Sequence, residues 1–272
     1  MLRFRRLASL CALALFSILA FSPSIRAQDA PVLSRILESG KLRVGMSGTQ
    51  PPYNVVSRTG SMIGLEVDLA TILAVAMQVE LEIVRKPFGE LLGALEAGQV
   101  DMVMSGLSIT AERSRRVSFV GPYLLSGKSI LTLSSSLATA DSSVDLNLPT
   151  VKLAALANST SQRFVERHAP QAQLVTVAAY DEGVQMVLDS QVDALVADMP
   201  ICIITMMRYP DRGLATLSEP LTLEPIGIAV PANDLQLLNL VRNYFETLER
   251  TAVLDQLRQK WLEDGSWIAA LP

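Results

Sequence analysis

Histidine and cysteine are scarce in this chain of 272 residues, which contains one histidine, His168, and two cysteines, Cys11 and Cys202. Cys11 lies in the hydrophobic N-terminal run, so Cys202 has no partner for an internal disulfide bond. We interpret Cys202, which has isoleucines on both sides, as a small buried hydrophobic residue. Zinc sites are built mainly from cysteine and histidine, so we expect no metal site, and nothing in the composition indicates a cofactor.

An excess of positive charge is also lacking. The chain has 23 Lys and Arg against 27 Asp and Glu, and its net charge is −4. Nucleic-acid binding normally requires a basic face, so we do not expect a nucleic-acid partner. Aromatic residues make up only 5% of the chain, while hydrophobic residues make up 50%. The predicted cores are therefore mainly aliphatic.

The N-terminus has the pattern of a secretory signal peptide. Three arginines among the first six residues precede an apolar run over residues 7–21, and Ala27 is a small residue at a plausible cleavage point. The run is shorter than the roughly 20 apolar residues that span a bilayer, although an uncleaved anchor is the alternative. Cys11 lies too early in the run for lipid attachment. We expect residues 28–272 to form a soluble protein outside the cytoplasm.

Apolar strands alternate with amphipathic helices in two successive units, and this alternation predicts sheets of parallel strands with helices packed on them. Ligands bind beyond the carboxyl ends of the strands in such sheets, so two of these edges facing each other would form a cleft. The predicted strands of the first unit are 41–46, 81–84 and 100–104, and those of the second are 151–156, 174–177 and 192–197.

Arg113 follows the predicted strand 100–104 and a short polar loop that contains Gly106 and Ser108. A guanidinium group beside a hydroxyl and a glycine amide suits a planar carboxylate, which can accept two parallel charge-assisted hydrogen bonds. The alternative is a surface arginine at the end of a loop.

Four segments, in order and spacing, resemble the bacterial extracellular solute-binding proteins of family 3, the polar amino acid receptors of ABC importers. The first has a glycine and an apolar residue followed by two acidic residues two positions apart. The second contains Arg113, the third ends in Asp198, and the fourth precedes the terminal helices. These segments are residues 64–69, 105–113, 193–198 and 227–230, with Lys260 and Trp261 near the end.

The resemblance implies an α/β periplasmic binding protein fold, with two parallel-sheet lobes joined by two crossovers and a ligand cleft between them. Lobe 1 would comprise residues 28–124 and 222–272, and lobe 2 would comprise residues 125–221. The implied function is not enzymatic: a periplasmic monomer binds a small amino acid-like solute and delivers it to the permease of an ABC transporter.

The same resemblance assigns roles to individual residues. Arg113 would hold the α-carboxylate, helped by the Ser108 hydroxyl and the Gly106 backbone. Thr160, at a helix N-terminus in the other lobe, would add further donors. Asp198 would hold the α-ammonium group.

Four further positions lie near these segments. Gln50 is expected to contact the ligand, and it stands just before two prolines, where the family often has an aromatic residue that stacks on the ligand. Asn158 stands where the family often has glycine, and asparagine tolerates the left-handed backbone that glycine would supply. Phe88 is a site wall or a core residue, and Tyr53 is expected in the core of lobe 1.

The main alternative is a periplasmic cyclohexadienyl dehydratase, which acts on prephenate or arogenate and has the same fold. Such an enzyme would need a carboxyl acid in the cleft besides Asp198. Glu182 and Glu224 are the candidates, and we expect both on solvated surfaces. A sensor lobe that feeds a membrane kinase is a third alternative, which the absence of a kinase segment disfavours.

Overall fold

The computed structural model describes residues 31–272, so the predicted signal peptide and Cys11 lie outside the described residues. The strands are β1 (Lys41–Met46), β2 (Thr49–Gln50), β3 (Asn54–Val56), β4 (Met62–Ile63), β5 (Glu80–Arg85), β6 (Met102–Val103), β7 (Val117–Ser126), β8 (Lys128–Thr132), β9 (Lys152–Leu156), β10 (Gln173–Val177), β11 (Ala194–Asp198), β12 (Ala215–Thr216) and β13 (Glu224–Pro231). The helices are α1 (Pro31–Ser39), α2 (Leu65–Met77), α3 (Leu91–Glu96), α4 (Thr160–His168), α5 (Tyr180–Leu188), α6 (Met199–Arg208), α7 (Leu235–Arg250) and α8 (Val253–Arg258).

Two five-stranded sheets organise the molecule, one in order β5-β1-β6-β13-β7 and the other in order β10-β9-β11-β8-β12. We call the parts built on them lobe 1 and lobe 2. The chain passes from lobe 1 to lobe 2 between β7 and β8, and it returns between β12 and β13. The two-lobed α/β fold is therefore confirmed, while the predicted residue boundaries of the lobes stay a prediction.

Each sheet is mixed rather than wholly parallel. Strand β1 runs parallel to β5 and β6, but β13 runs antiparallel to β6 and β7. Strand β9 runs parallel to β10 and β11, but β8 runs antiparallel to β11 and β12. The reversed strands β8 and β13 are those that start at a crossover. Their first residues therefore lie beside the carboxyl ends of neighbouring strands.

The two crossovers touch each other at Gly127. A Cβ atom at this glycine would lie 1.9 Å from the carbonyl oxygen of Thr222, so no larger residue fits without moving the backbone. The amide of Lys128 donates to Thr222 Oγ1 at 2.9 Å, and the amide of Leu221 donates to the Lys128 carbonyl at 2.7 Å. These contacts bring the starts of β8 and β13 together at the junction of the lobes.

The core of lobe 1 is mainly aliphatic, as the composition predicts, and it joins the first sheet to helices α2, α7 and α8. Gly64 precedes α2 with φ of 140°, and a Cβ there would lie 2.1 Å from the Tyr53 carbonyl oxygen. Asp68 in α2 accepts hydrogen bonds from Trp261 Nε1 at 2.8 Å and from Lys260 Nζ at 2.6 Å. The glycine and the second acidic residue of this segment therefore have structural roles.

Among residues 31–272, no helix is long and apolar enough to cross a membrane. The same residues contain no cluster of His, Cys, Asp and Glu side chains that could hold a metal ion.

Candidate functional site

The loop after β6 is hydrogen-bonded to Glu66, a fully buried residue of α2. The Glu66 carboxyl group accepts hydrogen bonds from the Gly106 amide at 2.7 Å, from Asn54 Nδ2 at 2.5 Å and from the Tyr123 hydroxyl. Burial raises the pKa of Glu66 to about 7, although these hydrogen bonds oppose the rise. The first acidic residue of the 64–69 segment thus sets the shape of the loop.

This network alters the role predicted for Gly106, because its N–H already donates to Glu66 and is not free for a solute carboxylate. Gly106 has φ of 57°, and a Cβ there would lie 2.7 Å from Gln50 Oε1 and 2.8 Å from Tyr53. Gln50 is buried and donates from Nε2 to Ser47 Oγ at 3.2 Å. Gln50 therefore packs on the loop, and the loop needs glycine for its close approach and its left-handed backbone. Tyr53 is fully buried in a hydrophobic cluster, as expected.

Arg113 lies in a 3₁₀ turn after this loop and is 5% exposed. Its Nη1 donates to the Ser108 carbonyl at 2.9 Å, and its guanidinium carbon lies 5.8 Å from the centroid of the Phe88 ring. Within residues 31–272, no carboxylate oxygen lies within 4.0 Å of this guanidinium group. Burial and the charge of Arg163 lower the pKa of Arg113 to about 10, so it remains a cation at neutral pH. Arg113 is thus a buried cation with no carboxylate in direct contact among these residues, although the charges of Glu224, Asp198 and Glu112 favour its charged form.

Phe88 belongs to a buried hydrophobic cluster and also faces Arg113. The two roles considered for Phe88 from the sequence are therefore compatible. One face of the ring lies toward the guanidinium group, and the ring also packs in the hydrophobic cluster.

Asp198 ends β11 and lies directly opposite Lys128, the first residue of β8. The two side chains form a buried salt bridge, and Lys128 Nζ also lies 3.1 Å from Glu224 Oε2. Burial raises the pKa of Asp198, the positive charge of Lys128 opposes the rise, and the negative charge of Glu224 adds to it. We call Lys128, Asp198 and Glu224 the charged cluster.

Glu224 corrects an expectation, because it lies in the cleft with only 16% of its side chain exposed. Glu224 Oε2 accepts hydrogen bonds from Ser108 Oγ at 2.6 Å and from Thr160 Oγ1 at 2.9 Å. Burial raises its pKa, but the charge of Lys128 and the two hydroxyl hydrogen bonds outweigh burial, so the net pKa is lowered. The expectation of a solvated surface was wrong because β13 starts at the crossover, where its first side chain points between the lobes.

Thr160 lies at the first residue of α4, as predicted, and its Oγ1 is 3.2 Å from Ser108 Oγ across the cleft. Ser159 caps the helix by accepting a hydrogen bond from the Gln162 amide at 3.1 Å. Asn158 has φ of 60°, so asparagine does adopt the left-handed conformation in this loop. The local sequence thus forms the helix start that presents Thr160 to lobe 1.

A second contact between the lobes lies nearer the surface. Arg163 of α4 forms a bidentate salt bridge with Glu112, in which Nη2 lies 2.9 Å from Oε1. A Cβ at Gly89 would lie 2.6 Å from Asn158 Nδ2, so the lobes also approach closely at this point.

Three other residues noted from the sequence, Glu182, His168 and Cys202, form no hydrogen bond or salt bridge with the charged cluster within residues 31–272. Glu182 is exposed and accepts a hydrogen bond from the Ala178 amide at 2.9 Å, as expected for a solvated helix start. His168 is exposed at the end of α4. Cys202 is buried, as predicted, and burial raises the pKa of its thiol to about 12. Its thiol is therefore not a nucleophile at neutral pH.

The structure places Arg113, Ser108, Thr160 and Asp198 near one another between the lobes, and their roles in binding stay a prediction. It adds Lys128, which was not predicted from the sequence. Lys128 is 1% exposed and opens a strand that is buried along its whole length. The available signal in the sequence was a lysine two residues before the apolar pair Ile130 and Leu131. Only the strand register identifies its partner. The arrangement places a buried cation, two hydroxyl donors and the charged cluster next to one another between the lobes, and both hydroxyls donate to Glu224.

Similarity to known proteins agrees with this geometry. The cyclohexadienyl dehydratase of Pseudomonas aeruginosa is 28% identical over 252 residues, which is 93% of each chain. The L-cystine-binding protein TcyJ of Escherichia coli is 25% identical over 86% of each chain.

Among solved structures, an ancestral amino acid-binding protein described as a precursor of cyclohexadienyl dehydratase is similar with a TM-score of 0.78 and 32% identity. The similarity covers 85% of this chain and 99% of the other. A binding component of an ABC transporter from Wolinella succinogenes, complexed with lysine, has a TM-score of 0.81 and 30% identity over 85% and 99% of the two chains. Residues 42–264 match the family described as bacterial extracellular solute-binding proteins, family 3. The chain belongs to this family.

Proposed function

We propose that the protein binds a zwitterionic amino acid-like solute between its lobes and delivers it to the permease of an ABC transporter. The observation that supports this most is the distribution of charge in the cleft. Arg113 is a buried cation with no carboxylate within 4.0 Å among residues 31–272. In the charged cluster, Lys128 neutralises one of two carboxylates, so one negative charge remains.

A zwitterion matches this distribution, because its carboxylate pairs with Arg113 and its ammonium group compensates the remaining negative charge. A dicarboxylate without an amine would place two negative charges beside one available cation. An amine without a carboxylate would leave the buried Arg113 uncompensated. Burying an uncompensated charge is costly, so the zwitterion is favoured over both.

The names of the relatives support an amino acid as the solute class. Curated relatives include proteins named for binding cystine and arginine. Similar solved structures are described as bound to lysine, arginine or glutamine. For this chain we propose the shared α-amino acid group as the part that is recognised, with Arg113, Ser108 and Thr160 at its carboxylate and Asp198 at its ammonium group.

The proposed setting is the periplasm, where the protein acts as a monomer after removal of residues 1–27. Lobe 1 would comprise residues 28–124 and 222–272, and lobe 2 would comprise residues 125–221. Mass spectrometry of the exported protein is expected to show Gln28 as the first residue. Deletion of the gene is expected to slow cellular uptake of the bound amino acid.

The test of binding is a thermal-shift screen of the wild-type protein against the standard amino acids, cystine and prephenate, followed by calorimetry on each compound that raises Tm. A solute that binds only the folded state stabilises it by RT ln(1 + [L]/Kd), about 2.7 kcal/mol at 100 times Kd. The control is Arg113→Ala, which should lose the shift. No shift with any amino acid would contradict the proposal.

Dehydratase activity is the second candidate, and the placement of Glu224 in the cleft is the observation that favours it. One relative is named cyclohexadienyl dehydratase. An acid catalyst must donate a proton to the leaving hydroxyl group, whereas the lowered pKa of Glu224 favours its ionised form. We therefore rank this activity second. Formation of phenylpyruvate from prephenate by wild-type protein, and its loss in Glu224→Gln, would reverse the ranking.

A further inference from the structure

Most polar groups that we assign to solute binding are already bonded to other side chains of the protein. The hydroxyls of Ser108 and Thr160 both donate to Glu224 Oε2, at 2.6 Å and 2.9 Å. Asp198 is paired with the ammonium group of Lys128. These partners have the two charges of an amino acid: a carboxylate on Glu224 and an ammonium group on Lys128, 3.1 Å apart.

We propose that Glu224 and Lys128 are an internal substitute for the solute: they compete with its carboxylate and ammonium groups and hold the two lobes together. This inference rests on the proposed function only for the identity of the competing solute. The contacts themselves are independent of it.

The position of Glu224 explains how one side chain acts on both lobes. Ser108 belongs to the loop of lobe 1 and Thr160 to the helix start of lobe 2, so Glu224 Oε2 bridges the cleft. Glu224 and Lys128 begin the two strands that follow the crossovers, and the crossovers touch at Gly127. Both side chains therefore stay near the junction of the lobes when the lobes separate, and they are available to rejoin.

Competition also has a consequence for specificity. A solute carboxylate that takes over the hydroxyls of Ser108 and Thr160 leaves Glu224 with Lys128 as its main partner. Lys128 then interacts more with Glu224 and less with Asp198. The solute must therefore provide a positive charge to compensate Asp198. A solute with a carboxylate and no ammonium group cannot do so. The internal pair thus selects for zwitterions.

The test is small-angle X-ray scattering on full-length mature protein freed from any co-purified solute by unfolding in guanidinium chloride and refolding. The variants are Glu224→Gln, which removes the charge, and Thr160→Val, which removes one hydroxyl and leaves the charged cluster intact. The matched control is Glu219→Gln, because Glu219 lies on the same crossover segment and is exposed. Circular dichroism and native mass spectrometry would establish that each sample is folded and free of solute.

We expect both variants to show a larger radius of gyration and a larger maximum dimension than wild type, with the greater increase in Glu224→Gln. The Glu219→Gln control is expected to match wild type. Scattering of folded Glu224→Gln and Thr160→Val that is identical to wild type would overturn the proposal.

The same measurement separates this proposal from the proposed function. If Glu224→Gln opens the lobes but no amino acid stabilises the protein, the internal bridge stands and the solute class is wrong. If amino acids bind and the scattering of the variants is unchanged, the solute class stands and the internal bridge is wrong.

Discussion

Arg113 and Asp198 are both buried between the lobes, but only Asp198 has an opposite charge in direct contact. Arg113 is buried against Phe88, and its hydrogen-bond partner is a carbonyl oxygen, with no carboxylate within 4.0 Å among the described residues. Asp198 is as deeply buried, but it shares Lys128 with Glu224. Solute affinity should therefore depend most on Arg113, which has no opposite charge in contact. It should depend less on Asp198, whose charge Lys128 already compensates.

Arg113→Ala is expected to have the largest effect on solute affinity. Removing one partner of a buried ion pair costs about 2–5 kcal/mol, so the affinity for the amino acid should fall roughly 30- to several-thousand-fold. Calorimetry would measure the dissociation constant. Arg115→Ala is the control, because Arg115 lies in the same turn and is exposed, and its affinity should equal that of wild type. An unchanged dissociation constant in Arg113→Ala would place the carboxylate site elsewhere.

A second prediction concerns the buried carboxyl group beneath the Arg113 loop. The pKa of Glu66 is raised from 4.5 to about 7, so the folded protein keeps a proton that the unfolded chain has released. Between pH 4.5 and pH 7 the unfolded state binds fewer protons, and the free energy of unfolding should therefore fall as pH rises, by about 3 kcal/mol from this group.

Denaturant unfolding of wild type and Glu66→Gln at several pH values would test this effect. The neutral amide does not titrate, so the decline over this range should be smaller in the variant by about that amount. Other groups titrate in both proteins, which makes the difference between the two curves the informative quantity. Parallel curves would show that Glu66 has an ordinary pKa.

Asp198→Asn tests how much the charged cluster contributes to solute affinity. The substitution keeps the shape and removes one carboxylate, but Glu224 remains beside Lys128 and still offers negative charge. We expect a loss of about 1.5–3 kcal/mol, the range for hydrogen bonds to charged groups, or roughly 10- to 150-fold in affinity. The exposed Asp211→Asn is the control in lobe 2. Binding as tight as in wild type would point to a solute without an α-ammonium group.

The smallest effect is expected at the surface contact between Arg163 and Glu112. Their side chains are 34% and 54% exposed, and exposed ion pairs contribute about 0.2–1 kcal/mol. Arg163→Gln should therefore change affinity by less than about fivefold, and the difference from wild type should shrink in high salt. Arg167→Gln, an exposed residue four positions further along α4, is the control. A large, salt-independent loss would mean that Arg163 contacts the solute.

Much of the fold could be predicted because its signals are local. Alternation of apolar residues marks the strands, and the Ser159 cap marks the start of α4 that presents Thr160. The left-handed Asn158 was also foreseen, because asparagine tolerates that backbone. The role of Gly106 was only partly foreseen. Its local sequence indicated a tight loop, but not that Glu66, forty residues earlier, accepts its amide proton.

The charged cluster could not be predicted in the same way. Lys128 and Asp198 are separated by 70 residues and meet because β8 runs antiparallel to β11 in a fixed register. Glu224 was expected on a solvated surface. The reversal of β8 and β13, which depends on how the chain crosses between the lobes, places both residues at the cleft.

The sequence by itself determined the two α/β units, the aliphatic cores and the residues that bear resemblance to the family, because hydrophobic period, helix caps and short motifs depend on neighbours along the chain. Only the tertiary structure decided which charges are compensated. Compensation depends on distances between strands far apart in sequence and on burial, which sets the cost of leaving a charge alone. That is why Arg113 could be recognised from its own segment, whereas Lys128 and Glu224 acquired their roles only when the two lobes came together.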